Sequence, residues 1–159
     1  MLNAEIICIG KCNESFAREG CAEYVKRLTP YIKLKITELD EARLKDESEV
    51  EKSRVINAEG AKILGRISKR QSYIVAMCIE GNQMTSEQFA SLLDNAAMQK
   101  GSITFIIGGS LGLSDEVKRS ADRLLSMSKM TFPHQLARLV LCEQIYRGAM
   151  ISAGTKYHK

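Results

Sequence analysis

Ile103-Thr104-Phe105-Ile106-Ile107-Gly108-Gly109-Ser110-Leu111-Gly112-Leu113-Ser114-Asp115-Glu116 is the stretch that decides the fold. Its first five residues form a short, nearly continuous apolar run closed by glycine, which fits a strand buried on both faces. Ser114 followed by two acids marks a helix N-terminus, with the carboxylates at the favourable end of the dipole. A buried strand leading through a glycine-rich loop into a helix is the repeating unit of a parallel sheet covered by helices.

Working outward, the same alternation covers the chain. Glu5–Ile9, Leu34–Leu39 and Tyr73–Cys78 read as further strands, and the polar–apolar alternation of Leu34–Leu39 marks a half-exposed one. Helical spacing is present in residues 14–28, 46–68, 86–98 and 134–151. It is clearest at Phe89, Leu92, Leu93, Ala96 and Ala97, where Thr85 and Gln88 supply a capping box. A short apolar run precedes the last helix. The prediction is an α/β fold: a three-layer sandwich around a mainly parallel sheet, formed as a single domain over residues 1–159. Ligands of such sheets bind at the loops beyond the strand C-termini, here after residues 78, 107 and 126. Glu80-Gly81-Asn82-Gln83 reads as an ordinary turn.

Composition narrows the function. The N-terminus lacks a signal peptide's basic and apolar regions, and no apolar run reaches the roughly 20 residues needed to span a bilayer, so a cytoplasmic protein without a membrane partner is expected. Five cysteines at irregular spacing and only two histidines, His134 and His158, give neither a disulfide framework nor a metal site; no metal is expected. The net charge of +4 comes entirely from residues 114–159, which carry 8 Lys/Arg against 4 Asp/Glu. A basic segment suits a polyanion.

Four stretches can carry chemistry, each with a plain structural alternative. Gly108–Gly112 is either a phosphate cradle or a tight strand-to-helix turn; it has no Walker lysine, which weighs against a phosphotransferase. Leu125-Ser126-Met127-Ser128-Lys129-Met130-Thr131-Phe132 is either the wall of an adenine pocket or a polar connector with core methionines. On the last helix His134 and Arg138 lie one turn apart, as do Glu143 and Arg147; these are either site residues or a helix-start hydrogen-bonding histidine and an exposed ion pair worth little. The tail Lys156-Tyr157-His158-Lys159 is either a base-stacking, phosphate-binding segment or a frayed end.

Leu125–His134, Arg138, Glu143-Gln-Ile-Tyr-Arg147, Tyr157-His158-Lys159, Ile107–Leu113 and Ile9-Gly10-Lys11 together resemble the ribosomal large subunit methyltransferase H family, from end to end of the chain. The resemblance implies a SPOUT-type fold with a C-terminal trefoil knot and a homodimer. It also implies methyl transfer from S-adenosyl-L-methionine to N3 of a pseudouridine in helix 69 of 23S rRNA, on the assembled ribosome. By position it assigns cofactor contacts to Met77, Gly108, Met127, Ser128, Lys129, Met130, Thr131 and Phe132. Cys78 stands where the family usually has an acid, Asn82 where it often has lysine, and Gly148 where alanine is usual.

The chemistry suggests roles for the rest. The N3 of a pseudouridine must lose a proton before it attacks a sulfonium methyl. His158 or His134 is the expected base and Arg138 the expected partner of a developing pyrimidine anion. Arg147, Lys156 and Lys159 are expected on phosphate and Tyr157 against a base, with His158 closing on a mobile tail. A non-catalytic RNA-binding protein of the same fold is the alternative.

Overall fold

In the computed structural model, which describes residues 1–159, the chain runs β1 (Leu2–Ile9), α1 (Ser15–Leu28), β2 (Ile32–Leu39), α2 (Glu49–Ile67), β3 (Tyr73–Asn82), α3 (Ser86–Gln99), β4 (Ser102–Ile107), α4 (Asp115–Ser120), β5 (Arg123–Leu125) and α5 (His134–Ser152). The five strands form one sheet in the order β2-β1-β4-β3-β5, and every pairing is parallel. The α/β sandwich expected from the sequence is therefore the architecture observed.

Strand periodicity sends alternate residues to the two faces. Ile6, Cys8, Val75, Ile103, Phe105 and Ile107 point to the layer of α1, α3 and α5. Ile7, Ile9, Ile74, Ala76 and Ile106 point to the layer of α2 and α4. Because both faces are covered, the central strands carry no polar alternation. The edge strand β2 does: Ile32 and Leu34 are buried while Lys33 and Lys35 are exposed. Full burial of each large aliphatic or aromatic side chain contributes about 1.5–3 kcal/mol, so these two clusters dominate the favourable side of folding.

Local signals place the helix starts. The Ser48, Thr85 and Ser114 side chains accept from backbone N–H groups three residues on, and Gln88 completes the capping box at Thr85. Pro133, with φ −53, occupies the N-cap position of α5. Gly148 has a packing reason: a Cβ there would lie 2.8 Å from Leu93 Cδ1, where α5 crosses α3.

One expectation fails. Residues 80–82 are not a turn but the continuation of β3, and the irregular connection to α3 begins only at Gln83. The register shifts between Met77 and Asn82, and Asn82 pairs with Leu125 of β5. Gly81 makes this possible. A Cβ on it would stand 2.6 Å from the Leu125 nitrogen and 2.7 Å from the Leu124 carbonyl carbon. Glycine here admits the neighbouring backbone rather than turning the chain.

Candidate functional site

The C-terminal ends of β3, β4 and β5 lie on one rim of the sheet, and the loops that leave them enclose a cleft of about 730 Å³. That lies within the usual range for small-molecule sites, roughly 300–1,000 Å³. The three loops singled out by the sheet argument meet here. Met77, Gly108, Met127, Ser128, Met130, Thr131 and Phe132 all line the cleft, whereas Lys129 does not and is exposed.

Each wall has a local cause. In the glycine loop, a Cβ at Gly108 would come within 2.8 Å of the Gly112 carbonyl carbon, and Gly112 itself has φ +84. Gly109 and Gly112 form a β-bridge across the loop. Behind Gly109 stands the Glu59 carboxylate; burial raises its pKa, and its Oε2 accepts from the Ala42 N–H at 3.0 Å. The two alternatives for this loop merge: it is a tight turn, and it lines the cleft.

The loop after β5 is stitched by its own hydroxyls. Ser126 N–H donates to the Asn82 carbonyl (2.9 Å), Ser126 Oγ donates to the Ser128 carbonyl (2.9 Å), and the Met130 N–H donates to Ser128 Oγ (3.0 Å). The serines thus fix the backbone, leaving Met127, Met130 and Phe132 as apolar wall. Met130 is 75% exposed, an apolar side chain with no core of its own to fill.

His134 lines the cleft from the first turn of α5; Arg138, one turn on, does not. Arg138, expected to partner a developing pyrimidine anion, is surrounded by acceptors of its own chain. Its side chain is 2% exposed, its Nη1 donates to Glu38 Oε2 at 2.6 Å, and its Nη2 donates to the Gly10 carbonyl at 3.1 Å. Glu38 Oε2 also accepts from the Cys12 N–H at 2.7 Å, and Gln135 Oε1 accepts from the Glu14 N–H at 2.8 Å. A buried guanidinium requires such acceptors, and their effect is to fasten residues 10–14 to the start of α5. Burial pushes the nearby Cys8 thiol up to about 12, so it stays protonated.

The tail, expected to be mobile, is folded against α5 and α3 in this structure. Tyr157 packs edge-on against Tyr146 with ring centres 4.8 Å apart, and its hydroxyl donates to Glu143 Oε1 at 3.1 Å. Burial first, then the Glu143 charge, pushes the Tyr157 phenol up to about 12. The Arg147 guanidinium lies 4.9 Å from the Tyr157 ring centre and pairs with Glu143 at 2.7 Å. His158 bridges Arg147 Nη1 at 3.1 Å and Glu87 Oε1 at 2.8 Å. The Glu143–Arg147 pair foreseen from helical spacing is therefore the centre of a half-buried network. Lys156 and Lys159 are exposed. None of residues 155–159 lines the cleft of their own chain.

The sequence reading missed Cys78, Ile79, Glu80, Lys118, Pro133 and Ala137 as lining residues. Burial raises the Cys78 thiol. Glu80 and Lys118 form an ion pair, which holds the carboxyl below its usual range and the ammonium above its own. Reading β3 two residues longer would have found Glu80. Lys118 gives no local signal, since only the packing of α4 brings it to β3.

Comparison with known proteins adds independent findings. Residues 2–158 match the family model described as predicted SPOUT methyltransferase. The chain is 46% identical over 160 residues to a ribosomal RNA large subunit methyltransferase H of Streptococcus thermophilus (strain CNRZ 1066), with 99% of this chain and 100% of the relative covered. It is 50% identical, with the same coverage, to the protein of that name from Bacillus cytotoxicus. Among solved structures, a probable methylase family protein from Haemophilus influenzae Rd KW20 superposes with a TM-score of 0.57 at 13% identity, covering 99% of this chain and 71% of that one. TrmJ from Z. mobilis superposes with a TM-score of 0.54 at 14% identity, covering 93% and 70%.

Proposed function

The chain belongs to the SPOUT methyltransferase family, and from that premise we propose that it transfers a methyl group from S-adenosylmethionine to N3 of a pseudouridine in helix 69 of 23S rRNA, on the assembled ribosome in the cytoplasm. One observation carries the reading: the loops after three parallel strands enclose a single cleft, and seven of the eight positions that the resemblance assigns to the methyl donor line it. The fit is chemical as well as positional. Met77, Met127, Met130 and Phe132 offer polarisable apolar walls for a purine, and glycines leave backbone bare beside them. The C-terminal trefoil knot belongs to the same proposal.

S-adenosylmethionine supplies an electrophilic methyl group on a sulfonium. The chain must hold N3 in line with it and take the N3 proton. Alignment alone can supply a large part of the rate. His134 stands in the cleft wall. His158, Tyr157, Lys156 and Lys159 do not reach the cleft of their own chain, so we assign them to the cleft of a second copy in a homodimer. There His158 takes the proton, Tyr157 stacks on the base, and Arg147, Lys156 and Lys159 hold phosphate. Arg138, locked on Glu38 and the Gly10 carbonyl, acts through position rather than by touching substrate.

The test is mass spectrometry of 23S rRNA from cells with and without the gene, beside calorimetric binding of S-adenosylmethionine. Loss of one methyl group from a helix 69 pseudouridine on deletion is expected. An unchanged pattern would overturn the substrate assignment. A protein that binds no S-adenosylmethionine would be the non-catalytic RNA binder.

A further inference from the structure

Resting on that reading, we propose that Glu80 and Lys118 form a clamp for the amino-acid end of S-adenosylmethionine, Glu80 taking the α-ammonium and Lys118 the α-carboxylate. Apart from His134, they are the only ionisable side chains besides the Cys78 thiol that line the cleft. They approach from different elements, β3 and α4. Glu80 is the sole carboxylate in the wall.

The methyl donor ends in a zwitterion, and a zwitterion asks for one anion and one cation a short distance apart. The remainder of the lining is apolar side chains, glycines, small hydroxyls and backbone. Those groups suit a nucleoside and leave the two charges of the amino acid uncompensated. Glu80 and Lys118 pair with each other when no ligand stands between them. Their side chains are 53% and 23% exposed, so exchanging this contact for a ligand's charges exposes no buried ion. The mutual pair is a resting state in which neither charge repels the approaching donor. Each residue also holds the other in its ionised form, so both charges are present at neutral pH.

Three probes separate the clamp from the cleft as a whole: S-adenosylmethionine, decarboxylated S-adenosylmethionine, which lacks the α-carboxylate, and 5′-methylthioadenosine, which lacks the amino-acid end. Binding is measured by calorimetry on the full chain. Lys118→Gln is expected to weaken S-adenosylmethionine about tenfold, the usual effect of one lost charge-assisted hydrogen bond, and to leave the other two probes unchanged. Glu80→Gln is expected to weaken both amine-bearing probes by a similar factor, and methylthioadenosine not at all. The double variant Glu80→Lys/Lys118→Glu keeps an ion pair at this place and so controls for folding. It is expected to bind methylthioadenosine as before and S-adenosylmethionine poorly. Restored S-adenosylmethionine binding in that swap would overturn the clamp in favour of a purely structural pair. So would equal losses for all three probes. A wild-type protein that binds none of the three would instead overturn the methyltransferase reading itself, and the clamp with it.

Discussion

Gly81→Ala should damage the cofactor site although Gly81 itself does not line it. The new Cβ would stand 2.6 Å from the Leu125 nitrogen and 2.7 Å from both the Leu124 and Leu125 carbonyl carbons, where ordinary contact begins at 3.4 Å. All three are backbone atoms, so no side chain can rotate away. Relief requires β5 to retreat from β3 by about 0.8 Å. Such a shift takes the Ser126 N–H to Asn82 carbonyl bond, now 2.9 Å, beyond hydrogen-bonding range. Overpacking of this kind costs about 1–3 kcal/mol, and the lost hydrogen bond adds about 0.5–1.5 kcal/mol. Together they should lower Tm by roughly 5–15 °C in a domain of this size. Residues 126–132 begin at the displaced strand, so S-adenosylmethionine affinity should fall at least about tenfold. Scanning calorimetry and titration calorimetry read the two effects. Gly65→Ala is the control: it lies in α2, and a Cβ there meets nothing within 4 Å. It should stabilise by about 0.5–1 kcal/mol through helix propensity and leave binding unchanged. If Gly81→Ala lowered Tm by no more than a degree and bound the donor within twofold of wild type, the strand-contact argument would be refuted.

Other expectations follow from the same geometry. Arg138→Met should cost about 2–4 kcal/mol in urea unfolding, because the Gly10 carbonyl and Glu38 lose their shared donor; a neutral result would mean that residues 10–14 are not held by it. Burial pushes the Glu5 carboxyl up, but the Thr37 hydroxyl, Arg66 and Arg70 outweigh it and hold it below 4.5. A depressed carboxylate stabilises fully above its unfolded value and loses that contribution as pH falls through the folded value. The stability gap between wild type and Glu5→Gln should therefore be constant at neutral pH and shrink below about 4.5, which urea midpoints from pH 3 to 7 would show. For the homodimer, a copy carrying Gly108→Val mixed with a copy truncated after Thr155 should recover about a quarter of wild-type methylation, since only mixed dimers join a working cleft to a tail; light scattering should show the dimer, and no recovery would place the tail in its own chain's site.

The sequence by itself determined the element order and most element positions. Burial on both faces writes continuous apolar runs into β1, β3 and β4, and the caps at Thr85 and Ser114 are local hydrogen bonds between residues three apart. It also pointed to the three loops at the strand ends, because parallel βα units place their loops on one rim. Local spacing read the Glu143–Arg147 pair as well. What the tertiary structure decided are contacts between residues far apart in the chain. Composition made Glu80–Gln83 a turn, yet Gly81 serves β5, more than forty residues later in sequence. Helical spacing put Arg138 beside His134, but a carboxylate one hundred residues away takes its guanidinium. The tail read as a free end, and Glu87 and Glu143 pin it. Lys118 reaches the cleft only because α4 packs beside β3. Periodicity and caps are set by neighbours within a few residues, so they are legible in one dimension. The partner of a charge, or the backbone that a glycine admits, is fixed by which strands become adjacent, and that order, β2-β1-β4-β3-β5, is written in no single segment.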